Sequence, residues 1–213
     1  MNIAICLAGL QATWDENKDN ITSNLIKGSD VFLISDGTKI PSSKHLILHT
    51  QKLYEDKLVY LHSKMRHPEE GLVGVKVILN MLYKIYKCNN LKKERELETG
   101  QKYDIVVRAR PDVVYSKEID LNIQEDTVYF PTKHNHTGLC DQFFYGSVMD
   151  YMCDLYLNIL DYVDQGCPMH PETLVKYHFD KSNFKIERNN VEINIVRNCI
   201  KKSPEWQKNI LND

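Results

Sequence analysis

The strongest constraint on this chain is an alternation of short apolar runs with longer amphipathic segments. Residues 2–8, "NIAICLA", form an apolar run that stops at Gly9, and "DVFLIS", 30–35, forms another that stops at Asp36-Gly37. "YDIVVRARPDVVY", 103–115, begins and ends the same way, and "KLVYLHS", 57–63, reads as a further short strand. Runs of this length bounded by turn residues suit strands buried on both faces. Between the first two lies "WDENKDNITSNLIKG", in which Ile21, Leu25 and Ile26 share a helical face and Gly28 suits a left-handed C-terminal position. From Pro68, acidic Glu69 and Glu70 are followed by Leu72, Val75, Leu79, Leu82, Ile85 and Tyr86, with basic residues gathering near the end. That order predicts one long helix. Strands and helices so alternating over 1–115 predict βαβ units and a mostly parallel sheet flanked by helices, an α/β fold.

The second half reads differently. "TVYFP", 127–131, is a short strand, and the segment 147–166 is an amphipathic helix with Ser147 as cap, Asp150 at the capping-box position and Gly166 closing it. Pro171 opens another helix over 170–179. Residues 184–196 form two alternating runs around Asn189-Asn190, which predicts a hairpin in an antiparallel extension of the sheet. The tail from Lys201 is polar, with Trp206 as its natural anchor.

Composition removes several classes of function. The net charge is −2, from 27 basic and 29 acidic residues, so no bulk basic field draws nucleic acid or an anionic membrane. The N-terminal apolar run is too short to span a bilayer and has no basic leader. Six cysteines show no metal spacing, and several lie in apolar runs, which suits buried thiols in a reducing compartment and a soluble, cytoplasmic protein. There is no phosphate-binding P-loop, no G-x-G-x-x-G after the first strand and no G-x-S-x-G elbow. His134 and His136 flank one residue in a loop, a weak metal signal.

Ligands of parallel sheets bind beyond the carboxyl ends of the strands. The positions of interest are therefore 9–13, 35–37 and 108–112. Pro111 cannot donate to a ladder, so regular pairing should end near it. Asp112 then projects into the crevice, where a carboxylate suits Mg or Mn. Arg108 and Arg110, two apart on an extended segment, present forks that suit phosphate oxygens. The same residues also suit a structural Arg–Asp network that closes the end of the sheet.

The segment "YDIVVRARPD" resembles the "YD-x-x-x-R-x-R-P-D" signature of a group of GT-A-type glycosyltransferases, Rossmann-like enzymes that use nucleotide sugars. "CLAGLQATW", 6–14, is similar to the group's opening turn, with Ala12 in place of its arginine. "CDQFFYGS", 140–147, is similar to its "D-x-F-x-x-G" element and "HPETLVKYH", 170–178, to its "H-x-E-x-L" helix start. The resemblance implies a single GT-A-like domain over 1–213, as in virus-encoded members, where it is one module of a longer chain. It implies transfer of a hexose or deoxyhexose from a UDP-sugar to a glycan or glycoprotein hydroxyl, with Mn or Mg assistance. By the same resemblance Gly9, Leu10 and Gln11 approach the nucleotide, Asp36 sits near uridine or ribose, and Asp112 holds the metal. Arg108 and Arg110 lie near the phosphates, and Asp141, Gln142 and Glu172 face the sugar or the acceptor. GT-A enzymes usually carry Asp-x-Asp where this chain has Arg110-Pro111-Asp112, so only the second carboxylate is kept.

Each residue has a plainer role beside its functional one. Asp141 suits a turn cap, Glu172 a favourable helix dipole, and His170 and His178 ordinary structural histidines. Tyr129, Phe143, Phe144 and Tyr145 suit the core as well as a sugar ring. In an inverting transfer Asp141 or Glu172 would accept the acceptor's proton. In a retaining transfer, toward which the resemblance leans, the leaving phosphate would. A nucleotidyltransferase and a non-catalytic nucleotide-sugar-binding module are the rival readings.

Overall fold

The computed structural model describes residues 1–9, 11–26, 28–35, 53–147 and 149–196. Leu10, Asp36, Cys199 and Trp206 lie outside them. β1 (Ile3–Gly9) leads through α1 (Gln11–Ile21) and a π turn (Thr22–Ile26) to β2 (Asp30–Ser35). Then come α2 (Leu58–Ser63), α3 (Gly71–Thr99), β3 (Ile105–Ala109) and β4 (Val113–Tyr115). β5 (Thr127–Pro131), β6 (Phe143–Gly146), α4 (Met149–Cys153) and α5 (Ile159–Asp164) follow. α6 (Pro171–Asp180), β7 (Lys185–Asn189) and β8 (Ile193–Ile195) complete the described fold.

Six strands form one sheet in the order β2-β1-β3-β6-β5-β7. β1 pairs in parallel with both β2 and β3, and β5 with β7, while β6 runs antiparallel between β3 and β5. Five strands therefore point one way and β6 alone opposes them. This is a mixed, mostly parallel α/β sheet flanked by helices, compatible with a Rossmann-like arrangement. β1 and β3 are nearly devoid of exposed surface, as strands covered on both faces must be.

α3 covers β1 and β2 with Val75, Ile78, Leu79, Leu82, Ile85 and Cys88. The Cys88 sulfur sits 3.3 Å from Leu7 O and 3.0 Å from Phe32 O, tying helix to sheet. Leu72 departs from the expected stripe and is 41% exposed. Near the helix's end, buried Lys92 binds Glu96 at 3.0 Å and Asp150 at 3.1 Å, while Glu96 accepts the Tyr103 amide at 3.2 Å. This network joins α3, α4 and the chain entering β3. Asp150 thus meets Lys92 across the helix interface in addition to standing in the first turn of α4.

Three sequence expectations are corrected. Residues 57–63 are helical, not a strand: Tyr54, Leu61 and Met65 are buried and Val59 is 73% exposed, a helical spacing that short alternation had masked. The segment 147–166 is not one helix but α4, a 3-10 segment (Asp154–Asn158) and α5, with Gly166 ending the last at φ 92°. Residues 184–196 are not a hairpin. β7 joins β5 in parallel, whereas β8 pairs antiparallel with β4 in a separate two-stranded ladder. Each strand finds a better-buried partner elsewhere than it would in the other.

His178 of α6 pins the second half together. Its Nε2 donates to Tyr151 O at 2.7 Å and its Nδ1 accepts the Tyr162 hydroxyl at 2.7 Å, while its ring stacks on Tyr151. Burial pulls its pKa from 6.5 down to about 4. The unfolded chain therefore takes up a proton before the folded one, so this stability is complete above pH 6.5 and is lost as pH falls toward 4. The melting temperature is expected to drop over that interval by the equivalent of about 3 kcal/mol, and His178→Gln to flatten the drop. Parallel pH profiles for the two proteins would contradict this role.

Candidate functional site

The strand directions gather chemistry at one end of the sheet. β1 stops at Gly9, β2 at Ser35 and β3 at Ala109, with Gly9 opposite Ser35 and Leu7 opposite Ala109. β6 runs the other way and begins there, since Phe143 pairs with Ala109. Asp141, which with Gln142 precedes β6, is thereby delivered beside Arg110. β5 also ends here and feeds the loop 132–142, which leans on the first turn of α6 through Leu139 N to Glu172 O at 3.0 Å.

Pro111 makes the break between β3 and β4. It has no N–H to continue the ladder with β1. Its ring sits against Gly9, where an added Cβ would come within 2.5 Å of Pro111 Cδ. Asn17 of α1 donates to Pro111 O at 3.0 Å. Asn20 clasps Tyr115 from both sides, donating to its carbonyl at 2.9 Å and accepting its amide at 2.8 Å. The glycine expected to approach a nucleotide thus also makes room for the proline. Gln11, expected beside it, is the first residue of α1.

Arg110 is the hub of the site. Its Nε donates to Asp112 Oδ1 at 2.8 Å and its Nη2 to Asp112 Oδ2 at 2.6 Å, a two-pronged ion pair. Its Nη1 lies 3.9 Å from Asp141 Oδ2. Burial opposes its charge, but Asp112 and then Asp141 outweigh that and raise its pKa. Asp112, Asp141, Gln142 and Glu172 are all buried. The Glu172 carboxyl is pushed up by burial and then by Asp141. Four of the residues singled out by sequence therefore share one charge cluster, Arg110, Asp112, Asp141 and Glu172.

Arg108 is placed otherwise. It is 0% exposed, and its guanidinium donates to Ala8 O at 3.3 Å and to Ala109 O. Burial, and after it the Arg110 charge, press its pKa down. Its Nε and Nη2 meet no protein acceptor among the described residues, and Gln142 Oε1 meets no protein donor among them. Arg108 supports the site from inside the sheet rather than from the crevice. Phe143, Phe144 and Tyr145 are core, and only Tyr129 is half-buried, stacked on Tyr145.

Two residues carry more than sequence suggested. His170 places Nε2 3.5 Å from Glu172 Oε2, accepts the Thr173 hydroxyl on Nδ1 at 3.1 Å, and tilts over His67. Burial, then Arg66 and His67, lower its pKa to about 4, so it faces Glu172 as a neutral ring at pH 7. Asn135 organises the loop: its Nδ2 donates to Pro131 O at 3.1 Å and Thr132 O at 2.9 Å, and its Oδ1 accepts the Cys140 amide at 3.1 Å. His134, His136 and Thr137 in this loop take positive φ of 62°, 30° and 69°, a concentration of backbone strain beside the charge cluster. The pattern "KHNHTGLC" signals a turn in sequence, but not the carbonyls Asn135 would serve.

The carboxylates suit a hard divalent ion in donor chemistry. Both oxygens of Asp112 are engaged by Arg110, however. Unit charges 4 Å apart interact by about 4 kcal/mol near a protein surface, and a dication doubles that. A metal at Asp112 would therefore compete with this ion pair, because the guanidinium already neutralises the carboxylate. Two clefts, of about 150 and 470 Å³, lie at the opposite end of the sheet around Asn2, Arg95 and Tyr103 and around Met1, Asn24 and Leu121. Neither contains the charge cluster, and ligands of parallel sheets bind at the other end.

Among the described residues no helix is long and apolar enough to cross a membrane. No protein-family model matches the chain, and no curated protein matches it.

The loop's approach to Glu172 is testable. A Cβ on Gly138 would lie 2.0 Å from Glu172 O, and backbone cannot yield as a side-chain tip can. Gly138→Ala is expected to cost about 2 kcal/mol or more in denaturant unfolding. Wild-type stability in that variant would contradict the packing described.

Proposed function

We propose that the chain is a GT-A-type glycosyltransferase domain that moves a hexose or deoxyhexose from a UDP-sugar to a hydroxyl of a glycan or glycoprotein. The observation that carries this reading is the placement of Arg110 among Asp112, Asp141 and Glu172 at the carboxyl end of a mostly parallel sheet. An arginine fork there matches the oxygens of a diphosphate. Asp112 is the residue to hold Mn or Mg, an ion that would neutralise charge on the departing UDP. Gln142, whose buried Oε1 meets no protein donor among the described residues, suits a sugar hydroxyl.

Glu172 is the better proton acceptor of the two candidates. Its raised pKa brings it closer to neutrality than an ordinary carboxylate, and a neutral His170 beside it can orient it without adding charge. Asp141, within 3.9 Å of Arg110, is better placed to hold that guanidinium. Among the described residues five buried thiols, none in a disulfide, support a reducing, cytoplasmic setting for the domain. The resemblance to virus-encoded multidomain enzymes supports a place as one module of a longer chain.

Calorimetry with UDP, uridine and UDP-sugars tests the reading. Arg110→Ala is expected to weaken UDP at least tenfold while leaving uridine nearly unchanged, and the wild-type chain to release UDP slowly from its donor. Equal losses for UDP and uridine would remove the phosphate role. Donor binding without any UDP release would instead favour a non-catalytic nucleotide-sugar-binding module.

A further inference from the structure

We propose that Arg110 is an exchangeable counter-ion. It holds Asp112 until a diphosphate takes its fork, and Asp112 then passes to a divalent cation, so that nucleotide and metal bind in that order. The inference rests on the nucleotide-sugar reading and adds a coupling that the reading does not contain.

The geometry makes the exchange a side-chain event. Nε and Nη2 of Arg110 span both oxygens of Asp112 at 2.8 and 2.6 Å, and Nη1 points toward Asp141 at 3.9 Å. A fork that fits a carboxylate this way fits two phosphate oxygens equally. The backbone on either side is held. Arg110 O accepts the Val113 amide at 3.2 Å, Pro111 O accepts Asn17 at 3.0 Å, and Asp112 O accepts the Val196 amide at 2.8 Å. With the backbone so held, the exchange is carried by rotation of the Arg110 and Asp112 side chains. Charge sets the order. A dication approaching Asp112 first meets the guanidinium that already neutralises it. A diphosphate approaching Arg110 displaces one anion by another and brings the negative charge that then favours the cation. Thermodynamic linkage makes the coupling reciprocal, so Mn must tighten UDP by the factor that UDP tightens Mn.

The test uses the 213-residue chain. Mn binding is read from the loss of the free-ion electron paramagnetic resonance signal, and UDP binding from calorimetry with and without EDTA. The wild type is expected to bind UDP in EDTA, to bind Mn weakly alone, and to bind Mn at least tenfold more tightly in saturating UDP. Asp112→Asn, which weakens the hold on Arg110, is expected to keep or improve UDP affinity in EDTA and to abolish the effect of Mn. Arg110→Gln is expected to gain UDP-independent Mn binding. If that variant does not fold, the Asp112→Asn measurement in EDTA decides alone. Mn binding that is equal with and without UDP overturns the exchange, as does loss of UDP affinity in Asp112→Asn in EDTA. Absence of UDP binding in every buffer overturns the nucleotide reading itself and the exchange with it.

Discussion

The contact between Pro111 and Gly9 governs the part of this fold that matters for chemistry. β3 runs beside β1 through the interior, and a residue with an N–H at 111 would let that pairing continue. Proline ends it, and the absence of a side chain at 9 lets the ring sit where the ladder stops. The chain then turns away into β4, which pairs with β8 and is clasped by Asn20 of α1. Arg110 and Asp112 occupy the corner so formed. Because β6 enters the sheet in the opposite sense, it begins at the same place and brings Asp141 and Gln142 with it.

The corner is a concentration of charge in a mostly dehydrated place. Buried ions need partners, and leaving one without them costs several kcal/mol. Here Arg110 offsets Asp112 and Asp141, while Glu172 meets the burial through a raised pKa. Arg108 adds a second buried cation behind the first, with two donors, Nε and Nη2, that no described residue accepts. An arrangement serving stability alone would do as well with apolar residues. Arginine, two aspartates and a glutamate converging at the carboxyl end of an α/β sheet suit the polyanionic ligand and the proton transfer proposed above.

Much of this was legible in sequence because its signals are local. Apolar runs ended by Gly9 and Ser35, the acidic-to-basic order along α3, and Pro171 at the start of α6 each depend on residues close in the chain. Asp112, Arg110, Asp141 and Glu172 were legible as candidates for the same reason, each standing next to a strand end or helix start. Long-range choices were not. Nothing local says that β7 and β8 enter different sheets, or that Leu58–Ser63 turns its Leu61 inward as a helix. Arg108 looked like a partner of Arg110, but its register opposite Cys6 and Phe144 encloses it between two strands. His170 and Asn135 matter through contacts made only after α6 and the 132–142 loop have met.

The central claim, that the Arg110 fork is where a nucleotide diphosphate lands, is tested most directly by the ¹⁵N–¹H correlation of the Arg110 Nε in solution. Titration with UDP in EDTA is expected to move that resonance, and uridine to leave it in place. A resonance unmoved by saturating UDP would contradict the account.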